Sequence, residues 1–85
     1  MNVAFTRLIK LQGLNREFNF RKLNGTPVHY HVDVTDERGQ RILFQIEKKG
    51  DGEWKANIPQ FPKWMEGAEP VLGHVIEEFM ESGEE

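Results

Sequence analysis

Two histidines at alternate positions are the side chains whose spacing is closest to that of a metal site. His29 and His31 lie in a stretch typical of a β-strand, so both point to one face, about 6.6 Å apart along the backbone. Imidazole nitrogens bind Zn²⁺, and the favoured strand pairing brings Glu47 opposite His29, with Asp33 next in reach. The pairing with the next strand places Lys55 opposite Glu47 and so occupies that carboxylate. We therefore predict no metal site, with His29, His31 and Glu47 as weak candidates.

The remaining residue types form no arrangement typical of an enzyme. The chain contains no cysteine and a single serine, Ser82, which lies at the end of a predicted helix without a base arranged beside it. The eight glycines match no phosphate-binding loop. Most glutamates lie in residues 64–85, in or next to the same helix, where a solvated surface is the simpler interpretation. We predict a protein without catalytic activity and without a cofactor.

Alternating apolar and polar residues predict the strand that would hold the two histidines and the strand that pairs with it. Residues 28–35 and 41–49 each repeat with a period of two, and residues 36–39 between them are typical of a turn. Opposed residues of an antiparallel pair share a face, so matching the apolar sets gives the register. The predicted pairs are Val34 with Ile42, Val32 with Phe44, Tyr30 with Ile46, Asp33 with Leu43, His31 with Gln45, and His29 with Glu47.

Further strands are predicted on both sides of this hairpin. After a glycine-rich turn at 50–52, residues 53–58 alternate again. Their predicted pairs are Ile46 with Ala56, Lys49 with Glu53, and Glu47 with Lys55, the last two joining opposite charges. Upstream, residues 17–23 form another strand, which precedes a turn at 24–27. Its predicted pairs are Phe20 with Val32 and Phe18 with Val34.

An amphipathic helix is predicted near the C-terminus, after an apolar connector. Pro70 fits the first turn of this helix, and Gly83 fits the residue that ends it. Gly73 in the interior costs about 1 kcal/mol relative to alanine, which indicates that the helix backbone approaches the sheet closely there. The predicted apolar stripe consists of Val71, Leu72, Val75, Ile76, Phe79 and Met80.

These elements predict an α+β fold of two layers. A four-stranded antiparallel meander has one face covered by the C-terminal helix, in the order β-β-β-β-α. Residues 3–12 fit two structures: their β-branched and aromatic residues favour a fifth strand, whereas the spacing of Phe5, Leu8 and Ile9 also suits a short helix. We favour the strand.

The chain is predicted to form one domain over residues 1–85. Its core spans 16–82, residues 1–15 contribute the extra strand, and residues 83–85 form a frayed tail. No apolar stretch is long enough for a secretory leader or a membrane span, so a cytoplasmic location is expected. The net charge of −3 divides into +4 over residues 1–63 and −7 over residues 64–85. This separation of charge either only keeps the protein soluble or also orients a charged partner.

The sheet face turned away from the helix is the predicted binding face. It combines basic and polar side chains with one apolar residue, and the alternation sends the aromatic residues to the other face. Its predicted members are Arg21, His29, His31, Arg41, Leu43, Gln45, Lys49 and Lys55. Uncovered mixed faces and unpaired sheet edges are typical of homodimers and peptide-binding modules. We therefore predict an interaction module that binds a protein partner or a second copy of itself.

Nucleic acid is the alternative partner for the same face. A basic open sheet is typical of proteins that bind single strands, and the order β-β-β-β-α resembles that of the units of Whirly and Pur-alpha single-strand-binding proteins. This resemblance of architecture implies a single-stranded ligand. Acidic residues on the face and the lack of aromatic residues there for base stacking favour the protein partner. A metal-dependent activity at His29 and His31 ranks third.

Overall fold

Five antiparallel strands follow one another along the part of the chain that the structure, a computed structural model, describes: residues 3–58 and 61–82. They form one sheet in sequence order. The strands are β1 (Ala4–Leu11), β2 (Leu14–Lys22), β3 (His29–Thr35), β4 (Arg41–Lys48) and β5 (Trp54–Ala56). A short 3-10 helix (Lys63–Met65) leads to the helix α1 (Ala68–Glu81). The predicted α+β fold is confirmed, with the N-terminal segment as a fifth strand.

The three predicted strand registers are confirmed. Val32 lies opposite Phe44 in the β3–β4 pair and opposite Phe20 in the β2–β3 pair. Glu47 lies opposite Lys55 in the β4–β5 pair. Because a slip of one residue would turn every apolar side chain to the wrong face, the apolar pattern is sufficient to define these registers.

β1 is a strand because a two-residue turn folds it directly onto β2. Gln12 and Gly13 have φ angles of 51° and 78°, the left-handed pair that matches the twist of antiparallel strands. Ile9 and Leu11 of β1 are buried against the core. The core therefore starts before residue 16, the limit that the sequence predicted.

α1 begins two residues before Pro70, at Ala68, directly after Gly67 in the left-handed conformation with a φ angle of 79°. Its buried residues are Ala68, Leu72, Gly73, Ile76 and Phe79. Val71, predicted to belong to the apolar stripe, is exposed instead, because the buried positions recur every three to four residues from Ala68 and leave Val71 beside them. Gly83, predicted to end the helix, lies outside the described residues.

The apolar connector before α1 packs against the core face. The ring of Phe61 meets that of Phe44 edge to face, with 5.7 Å between centroids. The guanidinium of Arg16 lies over the ring of Trp64 at 5.6 Å. Met65 is fully buried. These contacts fix the connector to the sheet before the helix begins.

Candidate interaction surface

The sheet face turned away from α1 is called the open face below. From β2 to β5 it contains Arg21, His29, His31, Arg41, Leu43, Gln45 and Lys55, all predicted members. Lys49, the eighth, follows β4, and its ammonium group bonds to Glu47 of the same face at 3.0 Å. β1 adds Ala4, Thr6, Leu8 and Lys10.

A chain of polar contacts, the polar row, crosses four strands of the open face. Thr6 Oγ1 donates to Asn19 Oδ1 at 2.7 Å, and Asn19 Nδ2 donates to Asp33 Oδ1 at 2.9 Å. The guanidinium of Arg41 pairs with Asp33 Oδ2 at 3.2 Å. Asp33 is only 9% exposed, and a carboxylate tolerates such burial when both oxygens have partners. The polar row therefore ties β1 to β4 across the sheet.

A shallow groove of about 470 Å³ lies along the polar row. Arg21 and His31 are directly opposed across β2 and β3, and both line the groove together with Arg41. Because Asp33 offsets the charge of Arg41, the positive charge that remains comes from Arg21. The groove therefore suits an anionic group or a hydrogen-bond acceptor.

The two histidines that were the weak metal candidates lie at different hollows. His31 lines the groove, whereas His29 borders a smaller hollow of about 200 Å³, and its Nδ1 lies 2.7 Å from the carbonyl oxygen of Pro27. Glu47 is opposite His29 but bonds to Lys49. Over residues 3–58 and 61–82, no three histidine, aspartate or glutamate side chains form a group that could hold a metal ion.

Two exposed leucines provide apolar surface on the open face. Leu8 on β1 is 69% exposed, and Leu43 on β4 is 56% exposed. Single exposed leucines are common on protein surfaces. These two lie on the outermost strand and on the fourth strand of one uncovered face, on either side of Asn19 and Asp33. A partner laid across the sheet would bury both.

The outer edge of β5 is covered by α1. The backbone N–H of Ala56 points away from β4 and donates to Glu69 Oε2 at 2.8 Å. The indole N–H of Trp54 donates to Glu77 Oε2 at 2.7 Å. A further strand at this edge would have to displace the Glu69 carboxylate from the Ala56 N–H.

The Trp54–Glu77 bond makes the stability of the β5 edge depend on pH. The indole hydrogen bond lowers the pKa of Glu77 below its usual value. Partial desolvation opposes this shift, and the charge of Lys48, whose Nζ lies 3.5 Å from Glu77 Oε2, supports it. Because the pKa is lower in the folded state, the stabilisation is present above the pKa of the unfolded chain and is lost as the pH falls through the folded-state pKa. We expect Glu77→Gln to be less stable than the wild type near neutral pH.

Urea unfolding of both proteins at about pH 7 and about pH 3 measures this effect, since glutamate titrates between these values. The difference between wild type and variant should narrow in acid. A difference that is unchanged between the two pH values would show that the Glu77 carboxylate contributes nothing through its charge.

The outer edge of β1 has no neighbouring strand among the described residues. The carbonyl of Val3 accepts the N–H of Lys22 at 2.8 Å, so the odd residues of β1 bond to β2. The even residues therefore turn their backbone groups outward; they are Ala4, Thr6, Leu8 and Lys10. The outward carbonyl of Thr6 accepts a bond from Arg7 Nη1 at 3.0 Å. The two edges of the sheet thus differ, one covered by a helix and one open to an added strand.

The sequence contains two signals for the polar row. Pairing Phe20 with Val32 already sets Asn19 opposite Asp33, two polar groups that can bond across strands. Thr6 joins them only once the Gln-Gly pair after Leu11 is recognised as a hairpin turn.

Comparison of the chain with family models, curated protein sequences and solved structures finds no match. No helix in the described ranges is long and apolar enough to cross a membrane. The geometry of the open face and of the β1 edge is therefore the basis for a functional proposal.

Proposed function

We propose that the protein is a non-enzymatic interaction module that binds an extended segment of a protein partner at the outer edge of β1 and on the adjoining open face. The observation that carries the proposal is the difference between the two sheet edges. At β5 the outward N–H of Ala56 donates to Glu69 of the helix. At β1, by contrast, no strand lies beside Leu8 and Lys10 in the described chain. Exposed edges recruit strands from other chains through backbone hydrogen bonds.

The open face supplies side-chain contacts for such a segment. A strand added to β1 continues the open face, so alternate side chains of that strand lie next to Leu8 and Thr6. Asp33 is bonded to both Asn19 and Arg41, which suits a structural role better than proton transfer. A chain without cysteine also suits a reducing compartment, so we propose the cytoplasm as the location.

A peptide-display selection tests this function. We expect extended peptides to be enriched on the immobilised chain and to bind Leu8→Pro at least about tenfold more weakly. Proline at this position removes an outward N–H without breaking the ladder to β2. Glu78→Ala on the exposed side of α1 is the matched control and should bind as the wild type does. Peptides that bind Leu8→Pro and Leu43→Glu undiminished, or no enrichment at all, would contradict the proposal.

Single-stranded nucleic acid is the second candidate ligand, favoured by the convergence of Arg21, His31 and Arg41 on one groove. Such binding would weaken steeply as salt rises, since each neutralised phosphate releases counterions. Anisotropy of labelled oligonucleotides at physiological salt distinguishes this candidate, with Arg21→Glu as the variant because Arg41 also supports Asp33. Micromolar binding that Arg21→Glu removes would favour nucleic acid.

A further inference from the structure

We infer that the segment bound at β1 is acidic, with two carboxylates spaced to meet Lys10 and Arg21 and an apolar side chain against Leu8. This inference rests on the proposed function and specifies the chemistry of the partner. The inference depends on the positive charge of the β1–β2 hairpin and on which backbone groups and side chains of β1 face an added strand.

The β1–β2 hairpin is strongly basic within an acidic protein. Residues 3–22 carry a charge of +4, although the whole chain carries −3. The basic residues of the hairpin are Arg7, Lys10, Arg16, Arg21 and Lys22. Glu17 is the one acidic residue among them. A partner strand at this edge lies within a Debye length, about 8 Å at physiological salt, of several of these charges.

Lys10 and Arg21 are the two cations that β1 and β2 place on the open face. Within the described ranges, Lys10 and Arg21 form no ion pair, in contrast to Arg41 with Asp33 and Arg16 with Glu37. Exposed Lys and Arg on an edge strand protect against non-specific pairing. The same charges select a partner strand that brings carboxylates to them.

The strand pairing fixes where those carboxylates must lie. Arg21 is opposite Ala4, whose small side chain leaves the guanidinium room to reach over β1 toward an added strand. Lys10 lies six positions along from Ala4, on the same face, and Leu8 lies between them. An antiparallel partner therefore needs two acidic residues six positions apart. Its apolar residue lies two positions from the acid that faces Lys10 and four from the other.

A second copy of this chain fits the edge less well. Outward groups lie on even residues, so two β1 strands can pair in antiparallel orientation only with even residues opposite even residues. The longest such register sets Ala4 opposite Lys10 and therefore Arg7 opposite Arg7. Every register brings two hairpins of charge +4 together. Charge complementarity therefore favours an acidic heterologous strand.

Nucleic acid could pair with the same cations but not with the backbone groups of the β1 edge. Its phosphates would use Lys10 and Arg21 and leave the outward N–H groups of Leu8 and Lys10 unpaired. In the described chain the open face also presents no Phe, Tyr or Trp ring for stacking; Phe18, Phe20 and Tyr30, for example, are buried on the opposite face. A peptide strand uses the backbone groups, the cations and Leu8 together.

Fluorescence anisotropy with a blocked peptide tests the inference. The probe consists of threonines with glutamate at two positions six apart, and valine two positions from the first of them. The matched peptide has lysine in place of both glutamates. We expect the glutamate peptide to bind the wild-type chain at least about tenfold more tightly than the lysine peptide. Lys10→Glu with Arg21→Glu should reverse that preference, and both positions are exposed, so the fold is retained.

Leu8→Pro should abolish binding of the glutamate peptide, while Leu8→Val, which keeps the N–H, should reduce it much less. Equal binding of the two peptides would overturn the inference, as would a wild-type dimer lost in Leu8→Pro or an oligonucleotide that competes fully with the peptide. The peptide-display selection distinguishes failure of the acidic-partner inference from failure of the proposed function. Peptides of other composition that require the β1 edge would leave the proposed function standing and refute the acidic partner, whereas no edge-dependent peptide would refute both.

Discussion

Replacing Phe79 with alanine is expected to lower the free energy of unfolding by about 3–5 kcal/mol. Phe79 lies in the C-terminal half of α1 and packs against Phe5 of β1. Its ring stacks on that of Phe5 with 3.9 Å between centroids, and Phe5 stacks in turn on Phe20 at 4.6 Å. The guanidinium of Arg7 lies 5.6 Å from the centroid of the Phe79 ring. Truncation therefore leaves a cavity and ends an aromatic column that joins the helix to two strands.

Urea unfolding followed by circular dichroism measures this loss, with Glu78→Ala as the control on the next residue. Glu78 is exposed, and its contact with His74 at 3.6 Å joins two exposed side chains. Such a pair contributes little, so the control should change stability by less than about 0.5 kcal/mol. Equal losses in the two variants would mean that Phe79 does not face the sheet.

The aromatic column also bears on binding. Among the described residues β1 has a partner strand on one side only, and Phe5 in its first half is held by stacking between Phe20 and Phe79. Loss of Phe79 should therefore loosen β1 more than the central strands. Hydrogen exchange should accelerate at β1 before it does so at β3, and peptide affinity at the β1 edge should fall with it, since a mobile edge must be ordered on binding.

The central sheet was predictable because its physical constraints agree with one another. In β3 and β4 the apolar alternation, the turn residues and the cross-strand pairs all select the register that opposes Val32 with Phe44. Between β4 and β5 the opposite charges of Glu47 and Lys55 select it again. The open-face positions of the predicted binding residues follow from these registers alone.

The less predictable parts depend on contacts between distant segments. Phe5, Leu8 and Ile9 fit a helix or a strand by spacing, and only pairing with β2 and stacking on Phe79 decide for the strand. Val71 looks like a core residue in sequence, but the buried stripe of α1 runs through Ala68, Leu72, Ile76 and Phe79 and leaves Val71 exposed beside it. The difference between the sheet edges depends on where α1 lies, which local periodicity does not specify.

Gly73→Ala is expected to destabilise the protein, although alanine is the better helix former. In an exposed helix this change would stabilise by about 1 kcal/mol. Here a Cβ on residue 73 would lie 2.6 Å from Cγ of Trp54 and 3.0 Å from its Cβ. Those atoms are close to the β5 backbone and cannot move away as the end of a flexible side chain can. The helix and β5 must separate, so we expect a net loss of about 1–3 kcal/mol, typical of overpacking.

His74→Ala, one residue along and exposed, is the matched control and should change stability by less than about 0.5 kcal/mol. Trp54→Ala tests the cause, because in that background Gly73→Ala should lower the free energy of unfolding by less. Equal losses in both backgrounds would locate the strain elsewhere.

Gly73→Ala also tests how the β5 edge is kept closed. A helix pushed away from Trp54 withdraws Glu77 from the indole and Glu69 from the Ala56 N–H, which it reaches at 2.8 Å. Gly73→Ala should therefore acquire concentration-dependent association through β5 that the wild type lacks, because the helix that normally covers this edge would no longer do so.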